Sequence, residues 1–184
     1  MLLAMMAPLF AEPVRHVWFS SLPSRRRWAA LLCAAGYLAV WMAAAPAIIL
    51  ISWTLRAGLS AGWALPLAAG AAIAWSASPM SQRARNRCHR FLRIGARGRQ
   101  ADLECLSQGL YSGAMCVATC WPWMIAPMLL TGFWHGIAMV AVSLWLALER
   151  ILPAREPHWQ WPPAISQLLW RHRLRRGRYR VQNV

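Results

Sequence analysis

The chain has 184 residues, 59% of them hydrophobic and 14% charged, with 20 basic residues against five acidic ones and a formal net charge of +15. All the basic residues are arginine. A soluble domain is about a quarter charged, and these arginines flank apolar runs instead of clustering on one phosphate-binding face, so a water-soluble globular class and a nucleic-acid partner are both excluded.

The opening stretch MLLAMMAPLFAEPV lacks the positive start and small-residue cleavage site of a signal peptide and is too short to span. It reads as a partial helix dipping into a membrane and emerging at Arg15. Four longer apolar runs follow: Ala29 to Leu55, Leu59 to Ala77, Cys105 to Leu130 and Gly132 to Leu152. A hydrocarbon core needs ~20 apolar residues per helix, so the expected fold is all-α, a polytopic transmembrane bundle of four full spans plus the N-terminal partial helix, forming one domain over residues 1–153. The connections at Arg56-Ala57-Gly58 and Thr131-Gly132 are tight, while Ser78 to Glu104 is long and basic, so the spans pair as two hairpins.

Arginine placement sets the expected orientation. Arg56 alone lies on one side, whereas the other nineteen precede the first span, occupy the central loop or follow the last span. Both termini and the central loop are therefore expected on the cytoplasmic side of a bacterial inner membrane. Trp53, Trp63 and Trp134 are placed as outer interfacial anchors, Trp28 and Trp75 as inner ones. Beyond Pro153 the tail, residues 154–184, begins with the proline- and tryptophan-rich EPHWQWPP; Ile165, Leu168, Leu169 and His172 then share one face of a short arginine-rich amphipathic segment suited to anionic lipid head groups.

Chemistry concentrates in GLYSGAMCVATCWPWM, Gly109 to Met124. Cys116, Cys120, Met124 and Met128 recur every four residues, which on a helix stacks soft sulfur atoms turn upon turn. The step drifts by about 40° each time, so the four do not all face one point. Thiolate and thioether sulfur favour Cu(I), with zinc a less favoured alternative. Carboxylates are missing from the spans, since Asp102 and Glu104 precede the third and Glu149 closes the fourth, and this leaves magnesium, calcium and manganese without ligands. Met5 and Met6, nine or ten residues before Arg15, fall at a depth comparable to Cys116 if their segment is helical. Cys88 and His89 set a thiol and an imidazole side by side in the central loop.

A packing interpretation competes. Gly109 and Gly113 form a GxxxG step, and Cys105 and Cys116 are themselves small, so this face equally reads as a close-packed seam. His135 and Glu149 are weaker candidates, a hydrated interfacial histidine and a snorkelling partner of Arg150. Five cysteines, an odd number, do not form a secreted disulfide framework. With no nucleophile and base, no phosphate-binding glycine loop and no carboxylate pair, the chain is not expected to be an enzyme.

GYLAVW (Gly36 to Trp41), SPMSQRARNRCHR (Ser78 to Arg90), the Cys- and Trp-rich run and the closing LERILP together resemble a bacterial family of unknown function described as predicted metal-binding integral membrane proteins, some of whose members are labelled copper chaperones. The resemblance extends from Met1 to about Pro153 and includes AMMAP. Cys116, Cys120, Trp121, Met124, Gly109 and Gly113 match that family's third motif; Ser112 stands where it has a histidine, Thr119 where it has a further cysteine, and Ala84 where the central loop has the first of two cysteines. The resemblance implies a metal-binding membrane protein with a reduced ligand set. The expected function is binding and handing on of Cu(I), with Cys116 and Cys120 as principal ligands, Met124, Met5 and Met6 as auxiliaries, and Cys88 and His89 as a cytoplasmic-side donor or acceptor. The alternative is a structural or assembly subunit that docks on a protein partner or a second copy of itself.

Overall fold

The computed structural model describes residues 2–88, 90–95, 98–151 and 156–159, and within them the side chains of all but residues 2–8, 61 and 151. The described residues form six α-helices and no strand: α1 (Leu2–Ser20), α2 (Arg26–Gly58), α3 (Ala61–Ala77), α4 (Pro79–Cys88), α5 (Gly98–Met128) and α6 (Gly132–Ile151). The expected all-α class holds. Two helices, α2 and the Gly132–Arg150 portion of α6, are long and apolar enough to cross a membrane, and α3 contributes a shorter apolar segment, Gly62–Ala77.

The third expected span is less apolar for a physical reason. α5 is the axis of the bundle, touching α1, α2, α3, α4 and α6. It carries Gln108 and Ser112, both buried, on an inward face. The Gln108 amide donates to Ser112 Oγ at 2.9 Å, and the Leu92 amide donates to Gln108 Oε1 at 2.7 Å. Polar side chains satisfied between helices lower a segment's hydropathy without exposing polarity.

Helix ends explain two departures from the sequence expectation. The basic central loop contains a helix because Ser78 Oγ accepts the Ser81 amide at 3.2 Å and Pro79 stands at the first helical position, a start signal of N-cap plus proline. α1 runs through Arg15 to Ser20, beyond the expected partial helix. At the opposite end of the bundle the turn from α5 to α6 uses a left-handed Gly132, φ 58°. The Arg56 guanidinium donates to the Leu129 and Leu130 carbonyls there, at 3.1 and 3.5 Å. The one arginine apart from the others thus closes a helix terminus whose carbonyls lack intrahelical partners.

α2 and α5 make the most extensive contact. Their backbones meet at glycine: a methyl at Gly36 would fall 2.5 Å from the Leu106 carbonyl oxygen, and one at Gly109 would collide with the Cys33 carbonyl. This is the close-packed seam of small residues expected as the competitor of a metal site, and it lets the two backbones approach closely. α3 docks on α5 through indoles. Trp75 Nε1 donates to the Ala118 carbonyl at 2.9 Å, and Trp123 Nε1 donates to Ser76 Oγ at 2.7 Å. Ala118 lies four residues before Pro122, which has no N–H to offer it, so Trp75 satisfies a carbonyl orphaned by the proline instead of anchoring at an interface. Large apolar side chains such as Met42, Trp53, Trp63, Phe133, Trp134 and Leu144 point outward instead.

Candidate metal centre

Cys116, Cys120 and Met124 occupy successive turns of α5, and all three are buried in one core cluster with Leu9 of α1, Tyr37 and Trp41 of α2 and Leu146 of α6. The two thiol sulfurs are 3.8 Å apart. Tyr37 Oη donates to Cys116 Sγ at 3.2 Å. Thr119 Oγ1 donates back to the Met115 and Cys116 carbonyls, at 3.1 and 2.9 Å, and lies 3.4 Å from Cys120 Sγ. The Arg150 guanidinium on α6 acts electrostatically on Cys116.

Arg150 acts on the thiol while its neighbour Glu149 turns the other way. Glu149 Oε2 pairs with Arg85 of α4 at 3.4 Å in a nearly water-free contact, and this corrects the expected Glu149–Arg150 pairing. Adjacent residues on a helix point about 100° apart, so one can face α4 while the next faces α5. Cys88, the last residue of α4, is buried. Burial pushes its thiol up to about 11, the nearby Cys116 adds to the rise, and the Arg150 and Arg85 guanidinium groups oppose it. Cys88 is therefore within electrostatic reach of Cys116 and Arg150 from a different helix.

The remaining candidates separate. Met128, the fourth rung, packs against the edge of the core cluster and also lines a cavity of about 430 Å³ with Ile49, Ser52, Arg56 and His135. His135 Nδ1 donates to the Pro127 carbonyl at 2.8 Å, so it closes the α5 terminus. Cys105 packs with Cys33, Val17 and Ala29 in a second cluster. Met5 and Met6 lie on α1 with side chains outside the described residues; Leu9, one turn beyond Met5, reaches the core cluster. His89 and the amphipathic tail segment also lie outside the described residues.

The geometry accommodates a soft ion without completing its shell. For metal–thiolate bonds of ~2.3 Å, a 3.8 Å sulfur separation corresponds to an S–metal–S angle of about 110°. Such a bent bite calls for at least a third donor. Met124 is eight residues from Cys116, ~12 Å along the axis, and adjoins only Cys120. Among the described residues no three His, Cys, Asp or Glu side chains already converge as a metal site.

Sequence reasoning passed over Tyr37 and Arg150, the two side chains that act on Cys116. A tyrosine within an otherwise apolar span was a usable signal, because a buried phenol needs a partner; Arg150 was absorbed into the count of flanking charges.

Helices with an apolar exterior around a buried pair of thiols outside any disulfide define an all-α protein with a soft-donor core. The chain belongs to the family PpoB2, described as copper chaperone, which it matches over residues 1–171. No curated protein and no solved structure matches it.

Proposed function

We propose that the protein is an integral membrane copper chaperone that receives Cu(I) as cargo on Cys116 and Cys120 and passes it on through Cys88. The observation that carries this reading is the buried thiol pair, 3.8 Å apart, with Tyr37 hydrogen-bonded to Cys116 and Arg150 acting on it electrostatically. Soft thiolates in a wall without a free carboxylate favour a monovalent d¹⁰ ion over hard divalent cations. The bent bite leaves a coordination position, which in this reading Cys88 of α4 moves in to fill, forming a third bond to copper before either of the first two breaks. Met124, Met5 and Met6 serve as auxiliary thioethers, and His89 extends the path beside Cys88.

In this reading the bundle crosses a bacterial inner membrane four times, through α2, α3, α5 and α6. Both termini and α4 lie on the cytoplasmic side, and α1 enters only part way. The outward Trp and Leu side chains and the distribution of arginine support it. Orientation is tested by reporter fusions after residue 159 and in the turn at Leu59-Ser60; the same compartment for both would refute it. Function is tested by copper analysis of protein purified under reducing conditions, wild type beside the Cys116→Ser/Cys120→Ser double variant. About one copper per wild-type chain and none in the variant is expected; equal, negligible copper in both ends the proposal.

A further inference from the structure

Charge around the thiol pair limits what it can carry. Glu149, the carboxylate next to Arg150 in sequence, is committed to Arg85 at 3.4 Å, and that pair is internally neutral. Arg150 is thereby left on the face of α6 that turns toward the thiols, with Cys88, Cys116, the Tyr37 hydroxyl and Cys120 as the groups acting most strongly on it. Leu146, one turn earlier on the same face of α6, is packed in the cluster that holds both thiols, which fixes the helix at this depth. A guanidinium cannot lose its proton in a protein, so the thiol pair lives beside a permanent unit of positive charge.

We infer that Arg150 is a positioning residue that sets the charge selectivity of the centre, making it neutral with a monovalent soft cation and positively charged with a divalent one. The inference rests on the copper reading above. When Cu(I) binds, two S–H bonds break, two protons leave to solvent and two Cu–S bonds form, without any change of oxidation state. The resting product, Cu⁺ with two thiolates and a neutral thioether as third donor, Cys88 engaging only during transfer, has charge −1, and Arg150 brings the sum to zero. Zn²⁺ on the same two thiolates is neutral, and Arg150 makes the sum +1. An uncompensated charge in a water-poor core is strongly disfavoured, so the arginine works for Cu(I) and against Zn(II) without contacting either. The same logic admits Ag(I) and disfavours Cd(II).

The test compares Cu(I) and Zn(II) affinities of the full-length protein in detergent. Cu(I) is measured against a chromophoric Cu(I) chelator and Zn(II) against a zinc indicator, for wild type, Arg150→Met and Arg150→Lys. Arg150→Met keeps the aliphatic stem and loses the charge. It should weaken Cu(I) while holding or strengthening Zn(II), lowering the Cu(I)/Zn(II) affinity ratio by ~10-fold or more, as expected for one unit charge removed within a few ångströms. Arg150→Lys restores the charge and should return the ratio to within about threefold of wild type. Equal weakening of both metals, or an unchanged ratio, overturns the inference while leaving the copper reading intact. A wild-type protein that binds no Cu(I) overturns the copper reading itself. Should Arg150→Met not purify folded, Arg150→Gln takes its place: a Cu(I)/Zn(II) ratio lowered ~10-fold in it but kept by Arg150→Lys supports the role of charge, and a ratio unchanged in Arg150→Gln overturns it.

Discussion

Replacing Gly109 with alanine puts a methyl group where the backbone of α2 already stands. The new Cβ would lie 2.9 Å from the Cys33 carbonyl carbon and 3.0 Å from its Cα, besides meeting the carbonyl oxygen. Carbon atoms in good contact sit ~3.5–4.0 Å apart, and no side chain is available to swing aside, so α2 and α5 must separate by about 1 Å. Overpacking of this kind costs ~1–3 kcal/mol, against the ~1 kcal/mol by which alanine improves on glycine within a helix. Gly70 on α3 is the matched control, since a methyl there meets nothing within 4 Å and keeps only the helical gain. Five buried free cysteines make a thiol-reactive fluorogenic dye a direct reporter of unfolding. Gly109→Ala should lower the melting midpoint in detergent by several degrees, at ~2–4 °C per kcal/mol for a chain of this size, while Gly70→Ala leaves it unchanged or slightly raised. A Gly109→Ala protein melting with or above wild type would show that α2 and α5 do not touch at this seam.

Four further outcomes follow from the same contacts. Glu149→Gln strands the Arg85 charge in a poorly hydrated contact and should destabilise the bundle by ~3–5 kcal/mol, whereas Arg85→Met/Glu149→Leu recovers most of the loss; the same melting assay distinguishes them, and equal melting of single and double variants would refute the pairing. Tyr37→Phe removes the O–H···S bond to Cys116 and should cost about 1 kcal/mol, visible as a lower midpoint and faster dye capture. The Cys88 thiol, raised from the ordinary 9.0 to about 11, holds its proton in the folded state where the unfolded chain loses it, so its contribution to stability is present below pH 9 and declines as pH rises toward 11; in a protein with its other cysteines changed to serine, alkylation of Cys88 should be slow at pH 8 and accelerate near pH 11. Glu104 accepts the Gly95 amide at 2.5 Å and the Gln100 side chain at 3.0 Å, which holds its carboxyl below the usual 4.5. That contribution is present above pH 4.5 and lost as pH falls below it, so Gly95 amide protection from exchange should drop in mild acid.

What could be read from the sequence divides along physical lines. Helix class and the approximate limits of α2, α3 and α6 follow from apolar run length, because each presents a broad lipid-type exterior. The four-residue recurrence of Cys116, Cys120, Met124 and Met128 reads as one helical stripe; the first three are buried in the core cluster, and Met128 packs against it while also lining the cavity at the α5 terminus. α4 was hidden because its ten residues are mostly polar and basic, and the only start signals, Ser78 and Pro79, are short. Partners across helices were harder still. Nothing in the spacing of Glu149 and Arg150 indicates that one faces α4 and the other the thiols, since that depends on how α6 is rotated against α5. Trp75 resembled an interfacial anchor by composition; its role at the Ala118 carbonyl requires both the proline four residues later and the proximity of α3.

Packing and the proposed metal binding are not rivals on this helix, because they would occupy different lengths of it. From Cys105 to Gly113, α5 faces α2 backbone to backbone, and there a larger residue has no room. At Cys116 the facing side chains become Tyr37 and Trp41, so the helices are held apart by aromatic rings instead of glycine contacts. There the two thiols lie side by side beneath the Tyr37 phenol. The tight seam fixes the register of α2 on α5, and that register brings the Tyr37 hydroxyl to Cys116 and not to a neighbouring turn. A copper site here inherits its precision from the glycines three to seven residues earlier, so Gly109→Ala should weaken Cu(I) binding as well as stability, although residue 109 touches no ligand. Copper affinity that stayed at the wild-type value in a measurably destabilised Gly109→Ala protein would separate the two roles and show that the thiol pair is positioned by α6 alone.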